Sequence, residues 1–383
     1  MYDAKVSRGV ALRLVLVAGV VSIALAATSR VAPANNQASR AVPPSKCVTE
    51  GTAMRRGKPI FPELRRLGAR VWSGGLSWAT VAPTRPADPT SPDDPAYRWP
   101  KSLDRVLASA EANGIEPVLN VSSFPAWSNG GRDSAWAPTR PQDYADFMAA
   151  AVAKYPQVRR WIIVSEPSTL YNLRPQGGNG RTAPRVYARL LDSAYAAMHR
   201  VRKNVIVIGG GVHPYGLNDA YTTAPDTFIT NMVLPNGRHP RLDMFAINPY
   251  TERALDLRLG KRALRVDLDD LDWLKRRLDQ LWPRRRLKIF IDEFGWNTEH
   301  EALGWLYYVS RKKQAADLRK AYALAAKVGR VDTMCWFLLY DDPPERNSRQ
   351  WLNWTSGLRT SNGVRKPSRQ AFARVPRGPS KVG

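Results

Sequence analysis

Residues 161–168 read WIIVSEPS, a short apolar segment that ends in a carboxylate, Glu166. A second segment, LKIFIDEFGWNT at 287–298, repeats the pattern: an apolar, β-forming run ends in Glu293 and is followed by Phe and Gly. Short runs that are apolar on both faces are typical of parallel strands covered on both sides. The two segments therefore predict two buried strands, each with a glutamate at its C-terminal end.

Strand-like and helix-like segments alternate outward from these two segments. Seven strands are predicted, at 69–78, 115–123, 158–164, 204–211, 242–250, 287–294 and 331–340. Helices are predicted between them, at 101–114, 141–155, 184–201, 226–233, 267–282 and 310–329. An eighth strand, the first in the chain, is expected near 47–51, where the pattern is weak. Eight such units without a break in composition predict an α/β protein with a single (β/α)8 TIM barrel.

An open, doubly wound sheet is the alternative arrangement of the same elements. It would carry a glycine-rich nucleotide-binding turn after a strand, and GGGVHPYG at 209–216 is the candidate. Pro214 stands where the third glycine of that turn is required, so the match fails. We therefore prefer the barrel and expect no nucleotide cofactor.

The N-terminus has the pattern of a secretory signal peptide. Lys5, Arg8 and Arg13 precede an apolar run at 14–27 that contains an Ala-Leu-Ala cleavage pattern. A run of about 14 residues is short for a membrane span. Residues 1–27 are therefore predicted to be a signal peptide and the protein to be secreted, extracellular or in the cell envelope. A retained N-terminal anchor is the alternative.

Three further ranges complete the predicted organisation. Residues 28–46 are rich in Ala, Ser, Pro and Asn and are predicted to be a flexible spacer. Residues 47–375 contain the strands and helices and are predicted to be one catalytic domain. Residues 376–383 form a tail. No segment after the signal is long and apolar enough to cross a membrane, so no span is expected after its removal.

The cysteine and histidine content limits the kinds of site. Two cysteines exclude a disulfide scaffold and a cysteine-based metal site. Because the first and last strands of a barrel are neighbours, Cys47 and Cys335 can form one disulfide, and two free thiols are the alternative. The histidines show no metal-ligand spacing, so no metal is expected. They are His199, His213, His239 and His300.

The formal net charge is +25, and the basic residues are spread along the whole chain. The densest runs, at 275–286 and 311–320, lie on or beside predicted helices. Nucleic-acid binders concentrate such charge in a stripe or a tail, so no nucleic-acid partner is expected. Two interpretations stay open: a solvated basic surface, and attraction to an anionic glycan outside the cell.

The two glutamates indicate a chemistry once the barrel is assumed. The C-terminal ends of barrel strands line one open face, so Glu166 after the fourth strand and Glu293 at the seventh should face the same mouth. Glycoside hydrolysis needs such a pair, an acid that protonates the leaving oxygen and a carboxylate that attacks or activates water. Asp292 adjoins Glu293, so strand alternation predicts that it points away from the barrel axis, as a structural ion-pair partner.

These segments resemble those of the clan of retaining (β/α)8 glycoside hydrolases, and most closely its families 39 and 5. VRRWIIVSEPS at 158–168 is similar to the fourth-strand segment of the clan, and IFIDEFGWNT at 289–298 is similar to its seventh-strand nucleophile segment. FAINPY at 245–250 is similar to its sixth-strand segment. The resemblance extends over roughly residues 50 to 375.

The resemblance implies a secreted retaining glycosidase that acts on an oligo- or polysaccharide by double displacement. Glu166 would be the general acid/base and Glu293 the nucleophile, with Tyr250 donating a hydrogen bond that keeps Glu293 ionised. Three tryptophans are candidates to stack on sugar faces, with ordinary packing as the alternative: Trp127, Trp296 and Trp336.

Three positions depart from the clan's pattern. The Asn that usually precedes the acid/base is Ser165, the usual sixth-strand His is Asn248, and the second-strand Arg is replaced near Ser73. Ser165 and Asn248 remain candidate substrate-binding residues, whereas His213 is predicted to be structural. The departures leave a non-catalytic glycan-binding protein on the same barrel as the alternative function. Because both carboxylates are present, we favour catalysis.

Overall fold

A computed structural model describes residues 42–51, 53–251, 264–299, 308–343 and 354–378. Its central feature is a closed barrel of eight parallel strands, in which each strand pairs with the next and the last pairs with the first. The strands are β1 Ser45–Thr49, β2 Val71–Ser77, β3 Glu116–Ser122, β4 Arg160–Ile163, β5 Ile206–Val212, β6 Met244–Ile247, β7 Lys288–Phe294 and β8 Val331–Phe337. The predicted (β/α)8 barrel is confirmed.

Helices surround the described part of the barrel. They are α1 Phe61–Arg66, α2 Lys101–Ala112, α3 Pro141–Lys154, α4 Thr182–Val201, α5 Pro225–Asn231, α6 Leu271–Leu281, α7 Arg311–Val328 and α8 Pro367–Arg374. Proline, which needs no backbone N–H partner, lies in the first turn of α3, α5 and α8. Ser310 caps the start of α7, and Gly329 ends it in the left-handed conformation, with φ 67°. Sequence-local signals thus set these helix ends.

Smaller elements lie between the barrel units. A helical turn, Trp78–Val81, follows β2, and two 3₁₀ turns lie at Ala126–Ser128 and Leu268–Asp270. A two-stranded hairpin, Met54–Arg55 with Lys58–Pro59, follows β1.

The core has two layers, one between strands and helices and one inside the barrel. The inner layer draws apolar side chains from all eight strands. Its members include Cys47, Val71, Val118, Ile162, Ile208, Met244, Phe290 and Cys335. Side chains alternate along a strand, so residues two positions from these also point to the interior. Which alternate residues of each strand point inward therefore decides which polar side chains reach the barrel mouth.

Cys47 and Cys335 are register partners on the neighbouring strands β1 and β8, and they form a disulfide. Both are fully buried in the inner layer. The disulfide therefore joins the first and last strands of the barrel, which decides between the two alternatives that the sequence left open.

The start of the barrel lies slightly before the predicted boundary at residue 47. β1 begins at Ser45, and the Lys46 ammonium is buried, where it donates to Leu67 O at 2.7 Å and to Val375 O at 3.3 Å. Burial, with a smaller contribution from the charge of Arg377, lowers the Lys46 pKa to about 8. The predicted spacer is therefore wrong at its last two residues, because they pair in the sheet.

The remaining boundaries of the predicted organisation stay predictions. The signal peptide at 1–27 and the spacer as far as residue 41 lie outside the described residues. Among the described residues, none of the helices combines the length and the apolar character that a membrane crossing requires.

Candidate active site

Glu166 lies directly after β4, in a backbone segment held by its two neighbouring strands. Its N–H donates to Gly211 O of β5 at 2.7 Å, and the N–H of Ser165 donates to Asn120 Oδ1 of β3 at 3.1 Å. Val164 and Glu166 have positive φ values, 53° and 50°, which residues other than glycine rarely adopt. The two hydrogen bonds hold this turn, which such a conformation would otherwise destabilise.

Gly211 explains how the turn approaches β5 so closely. Its φ is 57°, and a Cβ at this position would lie 3.2 Å from Ser165 Cα and 3.3 Å from Val164 O. A side chain would push the Glu166 segment away from the barrel. Glycine here therefore serves the placement of the carboxylate.

The Glu166 carboxylate is bound by Asn248, which follows β6 and is fully buried. Asn248 Nδ2 donates to Glu166 Oε1 at 3.1 Å and to Ser165 Oγ at 3.4 Å. The predicted site residues Ser165 and Asn248 therefore lie beside the predicted acid/base. Asn248 Oδ1 has no hydrogen-bond partner among the described residues.

Glu293 lies near the end of β7 and is bound by Tyr250, whose hydroxyl donates to Glu293 Oε2 at 3.0 Å. Burial raises the pKa of Glu293 well above its usual value, and the charges of Asp292 and Glu166 raise it further, against the lowering effect of the Tyr250 bond. The predicted contact is thus present. The Tyr250 bond favours the ionised form of Glu293, but desolvation and two like charges raise its pKa more than this one hydrogen bond lowers it.

Asp292 points into the barrel, and the expectation that it points away is wrong. Phe290 belongs to the inner layer, so alternation places Asp292, two residues later, on the same side. Asp292 is 1 % exposed, and it accepts from Ser73 Oγ at 2.8 Å and from Ser165 Oγ at 3.3 Å. Burial raises its pKa to about 6, with the serine bonds opposing and the Glu166 charge adding to the shift. Within the described ranges it forms no ion pair.

Trp336 and Trp296 are buried, so neither offers a ring face to a sugar, and both predictions are wrong. Trp336 Nε1 donates to Ser356 O at 3.0 Å, and Trp296 Nε1 donates to Thr251 Oγ1 at 3.1 Å. Both rings pack edge-on against Phe294. Because Cys335 points into the barrel, its neighbour Trp336 points outward into the core between strands and helices.

Trp127 remains a candidate to stack on a sugar, but one face of its ring is covered by Arg85. It is half-buried, its Nε1 donates to Ala82 O at 2.8 Å, and the Arg85 guanidinium lies 4.4 Å from its ring centroid. A face already covered by Arg85 is not available to a sugar. The ring edge lies against Trp78.

An aromatic group beside Glu293 was not predicted from the sequence. It consists of Tyr250, Phe337 and Trp354, and both Phe337 and Trp354 are half-buried. The Trp354 ring lies 5.4 Å from the ring of Tyr250 and 5.1 Å from that of Phe337. Strand alternation counted from Cys335 would have placed Phe337, rather than Trp336, at the mouth. No sequence signal distinguishes Trp354.

His213 forms one main-chain hydrogen bond to the segment after β4 and one side-chain contact within its own loop. Its N–H donates to Ser168 Oγ at 3.1 Å, and its ring Nδ1 lies 2.8 Å from Tyr215 O. In the part of the chain that the structure describes, no group of three or more His, Cys, Asp or Glu side chains is arranged to hold a metal ion.

Comparison with known proteins identifies the class of fold. No protein-family model matches the sequence, and no curated protein matches it. Solved structures do match. A family 39 glycoside hydrolase from the gut symbiont Bacteroides cellulosilyticus WH2 superimposes with a TM-score of 0.64 at 20 % identity over 88 % of this chain. This chain spans 64 % of the length of that protein.

Two other similar structures belong to the same family. A family 39 enzyme from Xanthomonas axonopodis pv. citri gives a TM-score of 0.58 at 15 % identity, over 88 % of this chain and 67 % of its own. A family 39 β-xylosidase from Caulobacter crescentus gives 0.56 at 14 % identity, over 87 % and 71 %. The predicted resemblance is thus confirmed for the fold, which is that of family 39 glycoside hydrolases.

Proposed function

We propose that the protein is a retaining glycoside hydrolase, with Glu293 as nucleophile and Glu166 as general acid/base. The observation that carries the proposal is the pair of glutamates at the C-terminal ends of β4 and β7, each held by a side chain from the end of β6. Asn248 holds Glu166, and Tyr250 holds Glu293. A barrel mouth with two such carboxyl groups meets the requirement for glycoside cleavage.

The reaction then follows two steps. The Glu293 carboxylate attacks the anomeric carbon while Glu166 donates its proton to the departing glycosidic oxygen. Water, deprotonated by Glu166, then attacks the glycosyl-enzyme and releases Glu293. This mechanism needs the two carboxyl groups about 5–5.5 Å apart, whereas about 6.5–9.5 Å would indicate inversion. We predict the shorter separation.

The pKa shifts define the state that starts the reaction. Burial and the charge of Glu166 raise the pKa of both Asp292 and Glu293, and the charge of Asp292 raises that of Glu293 further. Catalysis requires a state in which Glu293 is ionised and Glu166 is protonated. Because its pKa is raised, the ionised form of Glu293, which attacks the anomeric carbon, appears only at a pH above the usual range for a glutamate.

The charge of the site favours a neutral sugar at the point of cleavage. Three carboxyl groups meet there, and in the described ranges none of them forms an ion pair with a basic side chain. A sugar carboxylate at this position would be repelled. The aromatic group of Tyr250, Phe337 and Trp354 offers apolar surface for sugar C–H faces. Any anionic part of a glycan substrate would lie away from the mouth, against the basic surface.

We further propose that the protein functions outside the cytoplasm. The signal-like pattern at 1–27 supports this location. The Cys47–Cys335 disulfide supports it independently, because disulfides form and persist in oxidising compartments.

A non-catalytic glycan-binding protein is the second candidate. The observation that favours it is the set of departures around Glu166, where Ser73 and Asp292 meet in place of the clan's usual arginine environment. Hydrolysis of a panel of neutral aryl glycosides by the wild type, Glu166→Gln and Glu293→Gln separates the two. The proposal predicts turnover by the wild type alone. Glycan binding by all three proteins with no turnover by the wild type would support the second candidate.

A further inference from the structure

Three polar side chains connect the interior of the barrel to one carboxyl oxygen of Glu166, Oε1. Ser165 Oγ donates to Asp292 Oδ2 at 3.3 Å, and Asn248 Nδ2 lies 3.4 Å from Ser165 Oγ and 3.1 Å from Glu166 Oε1. Asp292, Ser165 and Asn248 are all buried. We call this series, Asp292–Ser165–Asn248–Glu166, the carboxyl chain.

The hydrogen-bond inventory of these groups fixes the direction of the carboxyl chain. An ionised carboxylate only accepts, so the single hydroxyl proton of Ser165 must point to Asp292. Ser165 Oγ then offers only lone pairs to Asn248, which must present its NH₂ group rather than its oxygen. The second N–H of that group reaches Glu166 Oε1, which must accept.

We propose that Asp292 is a positioning residue: through Ser165 and Asn248 it occupies Glu166 Oε1 as an acceptor and leaves the acidic proton to Glu166 Oε2. This inference rests on the proposed glycosidase function. It assigns a role to a third carboxyl group that takes no direct part in the two steps above. The cost of this amide orientation is that Asn248 Oδ1 has no hydrogen-bond partner among the residues that the structure describes.

A neutral group at position 292 reverses the donor and acceptor roles along the carboxyl chain. Ser73 donates to Oδ1, so in a protonated Asp292 or an asparagine that oxygen stays the acceptor and the other group donates to Ser165 Oγ. The Ser165 hydroxyl then turns to Asn248, and the amide must present its oxygen. Glu166 must then place its proton on Oε1 and donate to Asn248. The proton is in that case directed into the protein instead of toward a substrate.

The groups that face Asp292 come from several barrel strands. Ser73 of β2 donates to its other oxygen, Oδ1, and the Thr49 hydroxyl of β1 donates to its main-chain carbonyl. Glu166 after β4 and the adjoining Glu293 contribute like charges. Ser73 therefore contacts Asp292 without belonging to the carboxyl chain, and Ser73→Ala is a matched control for Ser165→Ala.

The side-chain amide of Asn248 reports the direction of the carboxyl chain without any substrate. The experiment uses ¹⁵N-labelled protein in a Glu166→Gln background, so that Glu166 does not titrate, with the Asn248 signals assigned by their loss in Asn248→Asp. We expect these signals to shift as Asp292 ionises, at about pH 6 or below, because the change to glutamine removes the Glu166 charge that raises the pKa of Asp292. Adding Ser165→Ala or Asp292→Asn should abolish the shift, and adding Ser73→Ala should leave it. A shift that survives Ser165→Ala, or no shift in the starting protein, would overturn the inference.

Kinetics provide the second test once a substrate is known. Asp292→Asn and Ser165→Ala should each lower kcat about tenfold for glycosides with poor leaving groups, which need the proton of Glu166, and much less for good leaving groups. The double variant should be no slower than the slower single variant, because both changes break one chain. Equal losses for both kinds of leaving group, or additive losses, would contradict the inference. A wild type without turnover would refute the proposed function. The pH-dependent shift of the Asn248 amide signals would then be the test of whether Asp292 sets the direction of the carboxyl chain.

Discussion

Tyr250 donates a 3.0 Å hydrogen bond to Glu293, yet the pKa of Glu293 remains well above its usual value. The cause is the composition of the barrel mouth, in which Asp292 and Glu166 add like charges to a poorly solvated carboxyl group. In the described part of the site no basic side chain compensates them. The Tyr250 hydrogen bond therefore limits how far the pKa of Glu293 rises, and this effect can be measured.

Removing that bond should move the pH dependence of activity. In Tyr250→Phe the pKa of Glu293 rises further, so the acidic limb of the kcat/KM profile should move to higher pH, by about one unit. The matched control is Tyr322→Phe, which removes a buried hydroxyl that donates to the main-chain oxygen of Met334 and not to a carboxyl group. An acidic limb that stays in place in Tyr250→Phe would contradict the account of Glu293.

The buried charge of Asp292 should cost stability at neutral pH. Its pKa is raised from 3.8 to about 6 in the folded protein, so the folded state holds the proton more tightly than the unfolded state. The free energy of unfolding should therefore fall as pH rises from about 4 to about 6, by at most about 3 kcal/mol, and stay low above that range.

Asp292→Asn should remove this pH dependence, since asparagine does not ionise. At pH 8 the variant should be as stable as the wild type or more stable, after about 1 kcal/mol is allowed for altered serine hydrogen bonds. At pH 4 the advantage should vanish. Urea unfolding at both pH values measures the difference, and a variant that loses several kcal/mol at pH 8 would show that the ionised carboxylate stabilises the fold.

Glu166 should show the behaviour of an acid/base that acts in both steps. Glu166→Ala should keep the first step for substrates with good leaving groups, because these need little protonation, and should slow the second step. Azide should restore turnover and give a glycosyl azide of retained configuration. A glycosyl azide of retained configuration from Glu293→Ala, together with one of inverted configuration from Glu166→Ala, would reverse the two roles.

The aromatic group should bind the sugar, in contrast to the buried tryptophans. Trp354→Ala and Phe337→Ala should each raise KM about tenfold, equivalent to about 1.4 kcal/mol of binding. Trp296→Phe, a conservative change of a buried ring, should leave KM near its wild-type value while lowering the melting temperature. Equal KM values for Trp354→Ala and the wild type would remove this group from the binding site.

The sequence predicted the barrel because apolar strands, helix starts and helix ends are local signals, as at Pro141 and Gly329. It also placed Ser165, Asn248 and Tyr250 at the barrel mouth, because strand ends meet at one face, but it assigned Ser165 and Asn248 to substrate and not to their contacts with Asp292 and Glu166. The predicted side-chain directions of Asp292 and Trp336 were wrong for one reason. Alternate residues of a strand point into the barrel, but which alternate set does so depends on how the barrel interior is filled. The pKa of Glu293 was out of reach as well, since desolvation depends on packing between distant segments.

The identity of the nucleophile is tested most directly by trapping the glycosyl-enzyme. The wild type is incubated with a 2-deoxy-2-fluoro glycoside that has a good leaving group, digested and analysed by mass spectrometry, with Glu166→Gln as a parallel sample. We predict one sugar attached to the peptide that contains Glu293, at the side chain of Glu293 itself. A sugar attached to Glu166, or retained activity in a protein that carries alanine in place of Glu293, would contradict it.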